Sequence, residues 1–102
     1  MGGQERKLAD VRVQKITVDP VYLAWCPDST CVIVTDYGGE GNPDALFVIS
    51  VETGDKRQLT TPPSGVLADR DPSVSPGGKS LSFLRRTTWA SGALYVLSLI
   101  HI

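Results

Sequence analysis

The sequence predicts an all-β fold made of small antiparallel sheets, and three observations carry that expectation. The first is an internal repeat. LAWCPDSTCVIVTD aligns with PSVSPGGKSLSFLR, which puts Pro27 on Pro76, Val32 on Leu81 and Val34 on Phe83 at an offset of 49 residues. ALFVISVETG aligns with ALYVLSL, which puts Leu46 on Leu94, Phe47 on Tyr95 and Val48 on Val96 at an offset of 48. Two independent segments with one period make chance a poor explanation, and the single residue of slippage belongs in the loop between them. The second observation is the character of the apolar runs. VIV (32–34) and LFVI (46–49) are short, β-branched or aromatic, and bounded by turn residues, as strands are. They do not alternate with polar residues, so each sheet is expected to be covered on both faces. The third is the punctuation by turns at Pro27-Asp28 and Glu52-Thr53-Gly54-Asp55.

Taken in order, residues 4–15 have helix-forming composition but thin helical spacing (Leu8, Val11, then Ile16). Val11-Arg12-Val13 alternates, so a strand is predicted there. Pro27-Asp28 joins two strands, Pro presetting φ and Asp bonding the backbone ahead of it. A loop, DYGGEGNPDA (36–45), separates the second strand from the third. Gly54 supplies positive φ for the next turn. KRQLT (56–60) is more polar, as suits an edge strand. The second unit follows the same order, with RRTTWASGA (85–93) as the equivalent loop. Each unit is thus a four-stranded meander of just under fifty residues. Small sheets stacked face to face at that period fit a β-propeller best.

The wording of the units points the same way. LAWCPDSTCVIV and SVSPGGKSLSFL both resemble the W-S-P-D-G-K-x-L-A-F segment of TolB-like, WD-like propeller blades. ALFVISVETGDKRQLT resembles the remainder of such a blade, and DRDPSVSPGG its innermost strand with the approach to it. The N-terminal GGQERKLADV resembles the outer strand of a preceding blade. The phrasing is most similar to propellers of large bacterial regulators, in which a winged-helix or kinase domain and a membrane span come first. The resemblance implies a non-catalytic scaffold of six to eight blades that binds proteins, peptides or small ligands, with no cofactor, in a periplasmic or otherwise extracytoplasmic parent. It divides the chain into the outer strand of a preceding blade with its connection (1–18), a first blade (19–61) and a truncated second blade (62–96). Such a chain would be an incomplete ring, with neighbouring blades as partners. Residues 97–102, LSLIHI, resemble the translation of a transposon-end sequencing adapter and are expected to be non-native. Similar propellers also gate prolyl-oligopeptidase-type serine peptidases, which is the alternative functional expectation.

Composition excludes some classes. Among 102 residues, 41% are apolar and 21% charged, ordinary for a soluble globular protein. Ten basic residues against eleven acidic ones, with no basic run longer than Arg6-Lys7, build no nucleic-acid surface. No stretch has the ~18 apolar residues of a membrane span.

Candidate chemistry is sparse. Cys26 and Cys31 have C-x-x-x-x-C spacing, wrong for a redox or zinc C-x-x-C, and no second ligand pair accompanies them. They flank a hairpin turn, so a disulfide is conceivable if their Cα atoms come within about 6 Å. Two small buried hydrophobes is the preferred reading, because the second unit carries Ser75 and Ser80 in the same slots. Asp28, Asp69 and Asp71 read as turn-capping groups rather than as calcium or acid–base carboxylates, with Arg70 neutralising its neighbours. There is no G-x-S-x-G elbow, and a Ser-His-Asp triad would depend on His101 in the suspect tail. No catalytic constellation is therefore expected. Trp89 beside Arg85 and Arg86, and Tyr37 among glycines, mark loops where a protein or peptide partner would bind. Packing of these aromatics on a neighbouring sheet is the competing reading. Trp25, which aligns with Val74, is expected in the core between blades.

Overall fold

The structure is a computed structural model that describes residues 3–12, 23–88 and 90–99. The described residues form two antiparallel meanders and no helix. Sheet A runs in the order β1 (Leu23–Trp25), β2 (Cys31–Asp36), β3 (Ala45–Ser50) and β4 (Lys56–Gln58). Sheet B runs β5 (Ala68–Val74), β6 (Ser80–Arg86) and β7 (Gly92–Ser98).

The sequence repeat is reproduced by the strand register. In sheet A, Cys31 faces Ser50, Ile33 faces Val48 and Thr35 faces Leu46. The equivalent residues in sheet B face each other in the same way: Ser80 with Ser98, Ser82 with Val96 and Leu84 with Leu94. The inner pairs agree too, since Trp25 opposes Val32 and Val74 opposes Leu81.

The inner hairpins are equally alike. Cys26 N–H donates to Cys31 O at 2.9 Å, and Ser75 N–H donates to Ser80 O at 2.9 Å. Within the turns, Ser29 N–H reaches Cys26 O at 2.9 Å and Gly78 N–H reaches Ser75 O at 2.8 Å. Ser29 and Gly78 occupy the same left-handed slot, at φ 64° and 76°. A side chain there costs about 1 kcal/mol relative to glycine. Ser29→Gly should therefore raise the unfolding free energy by up to about 1 kcal/mol, measured by urea denaturation; a loss of stability would contradict the turn geometry. At Gly78 the same freedom is needed for a second reason, because a Cβ would lie 2.8 Å from Pro27 Cγ of the other hairpin.

A strand's side chains alternate between faces, so each sheet has two. Ile33, Leu46 and Val48 share one face of sheet A, which we call leading; Val32, Val34, Phe47, Ile49, Leu23 and Trp25 share its trailing face. By register, the leading face of sheet B carries Ser82, Leu84, Leu94 and Val96, and its trailing face carries Val74, Leu81, Phe83 and Leu97. The core forms where the leading face of A meets the trailing face of B: Ile33, Leu46, Val48, Leu81 and Phe83 are buried together with Cys26. β5 is the strand of sheet B that lies against β1, β2 and β3. A parallel bridge between Asp44 and Ala68 fastens the two sheets at one end. Thr35 Oγ1 adds a bond there, donating to Asp69 O at 2.9 Å.

Three expectations need correction. Residues 3–12 join no strand ladder, so the strand predicted at 11–13 is not formed at Val11 and Arg12, and Val13 lies outside the described residues. Its backbone instead bonds to side chains of sheet A rather than to a ladder. Trp25 is 56% exposed rather than buried between sheets, because it lies on the trailing face of A, where the described residues place no sheet against it. Arg85 and Arg86 end β6, opposite Ala93 and Gly92, and do not belong to the loop. Of the tail expected to be foreign, Leu97 and Ser98 complete β7 and Leu99 N–H bonds Lys79 O at 2.8 Å. Residues 100–102, His101 among them, lie outside the described residues, as does Trp89.

Candidate functional site

The two cysteines are joined in a disulfide, with Cα atoms 5.2 Å apart. The pair brackets the Pro27–Thr30 turn, and the β1–β2 register brings its ends together. The reading of two unlinked buried hydrophobes is thereby replaced, although Cys26 is buried at 7% exposure and belongs to the core. In the second hairpin the same junction is held by Ser80 N–H donating to Ser75 Oγ at 3.1 Å. One slot is thus closed covalently and its equivalent by hydrogen bonds. Asp28 caps the turn, accepting from Thr30 N–H at 3.0 Å and from the Thr30 hydroxyl at 2.6 Å. Those bonds hold its carboxyl below the usual carboxylate range. Closing a loop this short is worth about 2 kcal/mol in chain entropy. Replacing Cys26 and Cys31 by the serines of the second hairpin should cost about that much in thermal or urea unfolding, with the native far-UV spectrum unchanged. Loss of the folded spectrum would show that the bond does more than close the turn.

Beside the disulfide lies a cleft of about 660 Å³. Its walls are the two hairpin turns, at Pro27 and Gly77-Gly78, and the β3–β4 end with Ser50, Asp55 and Arg57. At the opposite end of the sheets, Tyr37, Asn42, Pro43, Gly65, Val66 and Leu67 line a shallower groove of about 410 Å³. Tyr37 is half-buried there, and the Arg12 guanidinium lies 4.5 Å from its ring centroid. The ring read as a partner contact or as packed on a neighbouring sheet is engaged on one face by the N-terminal segment.

Asp36, next to Tyr37, organises this end. Its carboxylate pairs with Lys56 and accepts N–H bonds from Arg12 at 2.7 Å and Tyr37 at 2.8 Å. Lys56 also donates to Asp10 O at 2.9 Å, which ties the segment 3–12 to β4. Burial works against the charge on Asp36, but the bonds from Lys56, Arg12 and Tyr37 outweigh it and hold the carboxyl below its ordinary range. A carboxyl depressed in the folded state stabilises the fold above its unfolded pKa, and that contribution is lost as pH falls through the folded value. Stability measured by urea denaturation should therefore fall on acidification below the ordinary carboxylate range, and Asp36→Asn should flatten that part of the profile. An unchanged profile in the variant would contradict the assignment.

Arg85 is no surface group. Its Nε and Nη2 donate to the Asp69 carboxylate at 2.8 and 3.1 Å. Its guanidinium lies 4.7 Å from the Tyr95 ring centroid and 5.4 Å from that of Phe83. The hydrogen bond and charge of Asp69 raise the Arg85 pKa against the effect of burial. Asp69, expected to be neutralised by its neighbour Arg70, pairs with Arg85 of β6. Of the residues predicted to face a partner, Tyr37 lines the groove, Arg85 is committed inside the sheet, and Arg86 lies at the same strand end. The pairs Asp36–Lys56 and Asp69–Arg85 escaped sequence reasoning. Their one legible signal was a polar residue closing an apolar strand, at Asp36 and at Arg85.

Compared with known proteins, the chain matches no family model, no curated protein and no solved structure.

Proposed function

We propose that the chain is part of a β-propeller-type binding scaffold, TolB-like in its repeat, in which small sheets stack in one direction and the loops at one end hold a protein or peptide partner. One observation carries this reading. The leading face of sheet A meets the trailing face of sheet B, so the packing is head-to-tail and each sheet is built to receive another. The leading face of sheet B has Leu94 at 73% and Val96 at 70% exposure where their equivalents Leu46 and Val48 are buried. An apolar pair so placed supports a further sheet following in the intact protein. The chain then serves as scaffold and not as enzyme. A disulfide across an inner hairpin suits an oxidising compartment, which favours a periplasmic or extracytoplasmic parent. The partner surface is the groove at Tyr37, where loops supported by rigid strands converge.

The test is the structure of the protein encoded by the full open reading frame. Sheets of the same register should follow sheet B and cover Leu94 and Val96; a sheet B whose leading face meets only water in the whole protein would contradict the reading. Peptides selected against that protein from a random library should bind at least tenfold more weakly to Tyr37→Ala, about 1.4 kcal/mol. Unchanged binding would move the partner surface elsewhere.

A further inference from the structure

We propose that, in the 102-residue chain, the leading face of sheet B takes the trailing face of sheet A from a second copy, so that copies associate head to tail. The proposal rests on the repeat-related stacking of the preceding reading, but needs neither a longer chain nor a closed ring.

One such contact already lies inside the molecule. There, Leu46 and Val48 of a leading face are covered by a trailing face whose nearest strand is β5. Leu94 and Val96 hold the same register positions in sheet B and are exposed. The trailing-face counterpart of β5 is β1, whose Leu23 and Trp25 are each 56% exposed. Both surfaces of the internal contact are thus present a second time by register: Leu94 and Val96 are open on one, and Leu23 and Trp25 are open on the other, where Val34 and Ile49 are already buried. The segment 3–12 bonds to Asp36 at the end of β2 and to Lys56 of β4, while Leu23 and Trp25 of β1 stay exposed. Ser82 stands where Ile33 stands in sheet A, so the second contact is more polar than the first. Its hydroxyl is within reach of Ser73 O, at 3.4 Å, and does not enter the contact unpaired.

A leading face and a trailing face are different surfaces, so this association is heterologous. It does not close on itself after two copies. That distinguishes it from a two-fold dimer made by two leading faces. The apolar side chains of both surfaces project from strands whose backbone bonds are internal to each sheet, so a charge placed at Trp25 or Val96 leaves the sheets intact.

The experiment is sedimentation by analytical ultracentrifugation of the wild-type chain, Trp25→Glu, Val96→Glu and an equimolar mixture of the two variants, each checked for the native far-UV spectrum. The wild type should show a mass that rises with concentration beyond that of a dimer. Each variant alone should be monomeric. The mixture should form a one-to-one dimer and nothing larger, because each variant keeps the one face that the other lacks, and both carry the same added charge. A two-fold dimer would lose association in Val96→Glu, keep it in Trp25→Glu and gain nothing on mixing; that pattern overturns the proposal. So does a wild type that stays monomeric throughout. Nuclear Overhauser contacts between Val48 and Phe83 in the same samples separate the two levels: if they are present in a monomeric wild type, only the docking of copies falls, and if they are missing, the stacking on which both readings rest falls with it.

Discussion

Arg85→Leu is expected to lower the unfolding free energy by about 3–5 kcal/mol, the cost of leaving a buried charge without its partner. Asp69 is fully buried and receives both Arg85 bonds, while its backbone N–H and C=O link it to Asp44, just before β3, and to Thr35 of β2. The carboxylate therefore has no route to water unless the sheets part. The substitution also removes the guanidinium from the Phe83 and Tyr95 rings. Against the 5–15 kcal/mol that holds a typical domain folded, that is a large fraction. Urea denaturation measures it. Asp69→Asn combined with Arg85→Leu should recover a substantial part of the loss, since neither charge is then stranded. A loss under 1 kcal/mol for Arg85→Leu alone would mean that the pair is hydrated and not part of the core.

The second large effect is a contrast between two leucines in one repeat position. Leu46→Ala should cost about 2–5 kcal/mol, the range for deleting a buried leucine side chain. Leu94→Ala should change stability by no more than about 0.5 kcal/mol at a dilution where the chain is monomeric. Both residues sit in the third strand of their sheet, each opposite the equivalent residue of the second strand, and their exposures are 0% and 73%. Strand propensity and local sequence are therefore nearly matched, and the difference reports the covering sheet. Equal losses would show that sheet B is covered on both faces.

The strands and their register were legible because two signals agreed. Apolar runs such as Val32-Ile33-Val34 fixed where strands lie, and the repeat fixed how the second unit pairs once the first is known. The turns repeat as well, with Ser29 and Gly78 in the same left-handed slot of the two units. Burial was less legible. Trp25 and Val74 are repeat equivalents, yet only Val74 has a sheet against it, and no local pattern of residues encodes whether a neighbour is present. Arg85 looked like a loop residue because a charge closing an apolar strand resembles a surface group. Its partner lies sixteen residues earlier on β5, and only the β5–β6 register brings the two together. The disulfide was geometrically open from the spacing, but the serines of the second hairpin argued against any need for it. They show instead that hydrogen bonds meet the same need without sulfur.

The claim on which the rest depends is that the two sheets stack head to tail. Methyl nuclear Overhauser contacts measure it directly. Contacts are expected from Ile33, Leu46 and Val48 to Leu81 and Phe83, with none from Leu94 or Val96 to those three residues of sheet A. Contacts joining Leu94 or Val96 to Ile33, Leu46 or Val48 would mean that leading faces meet each other, and would contradict it.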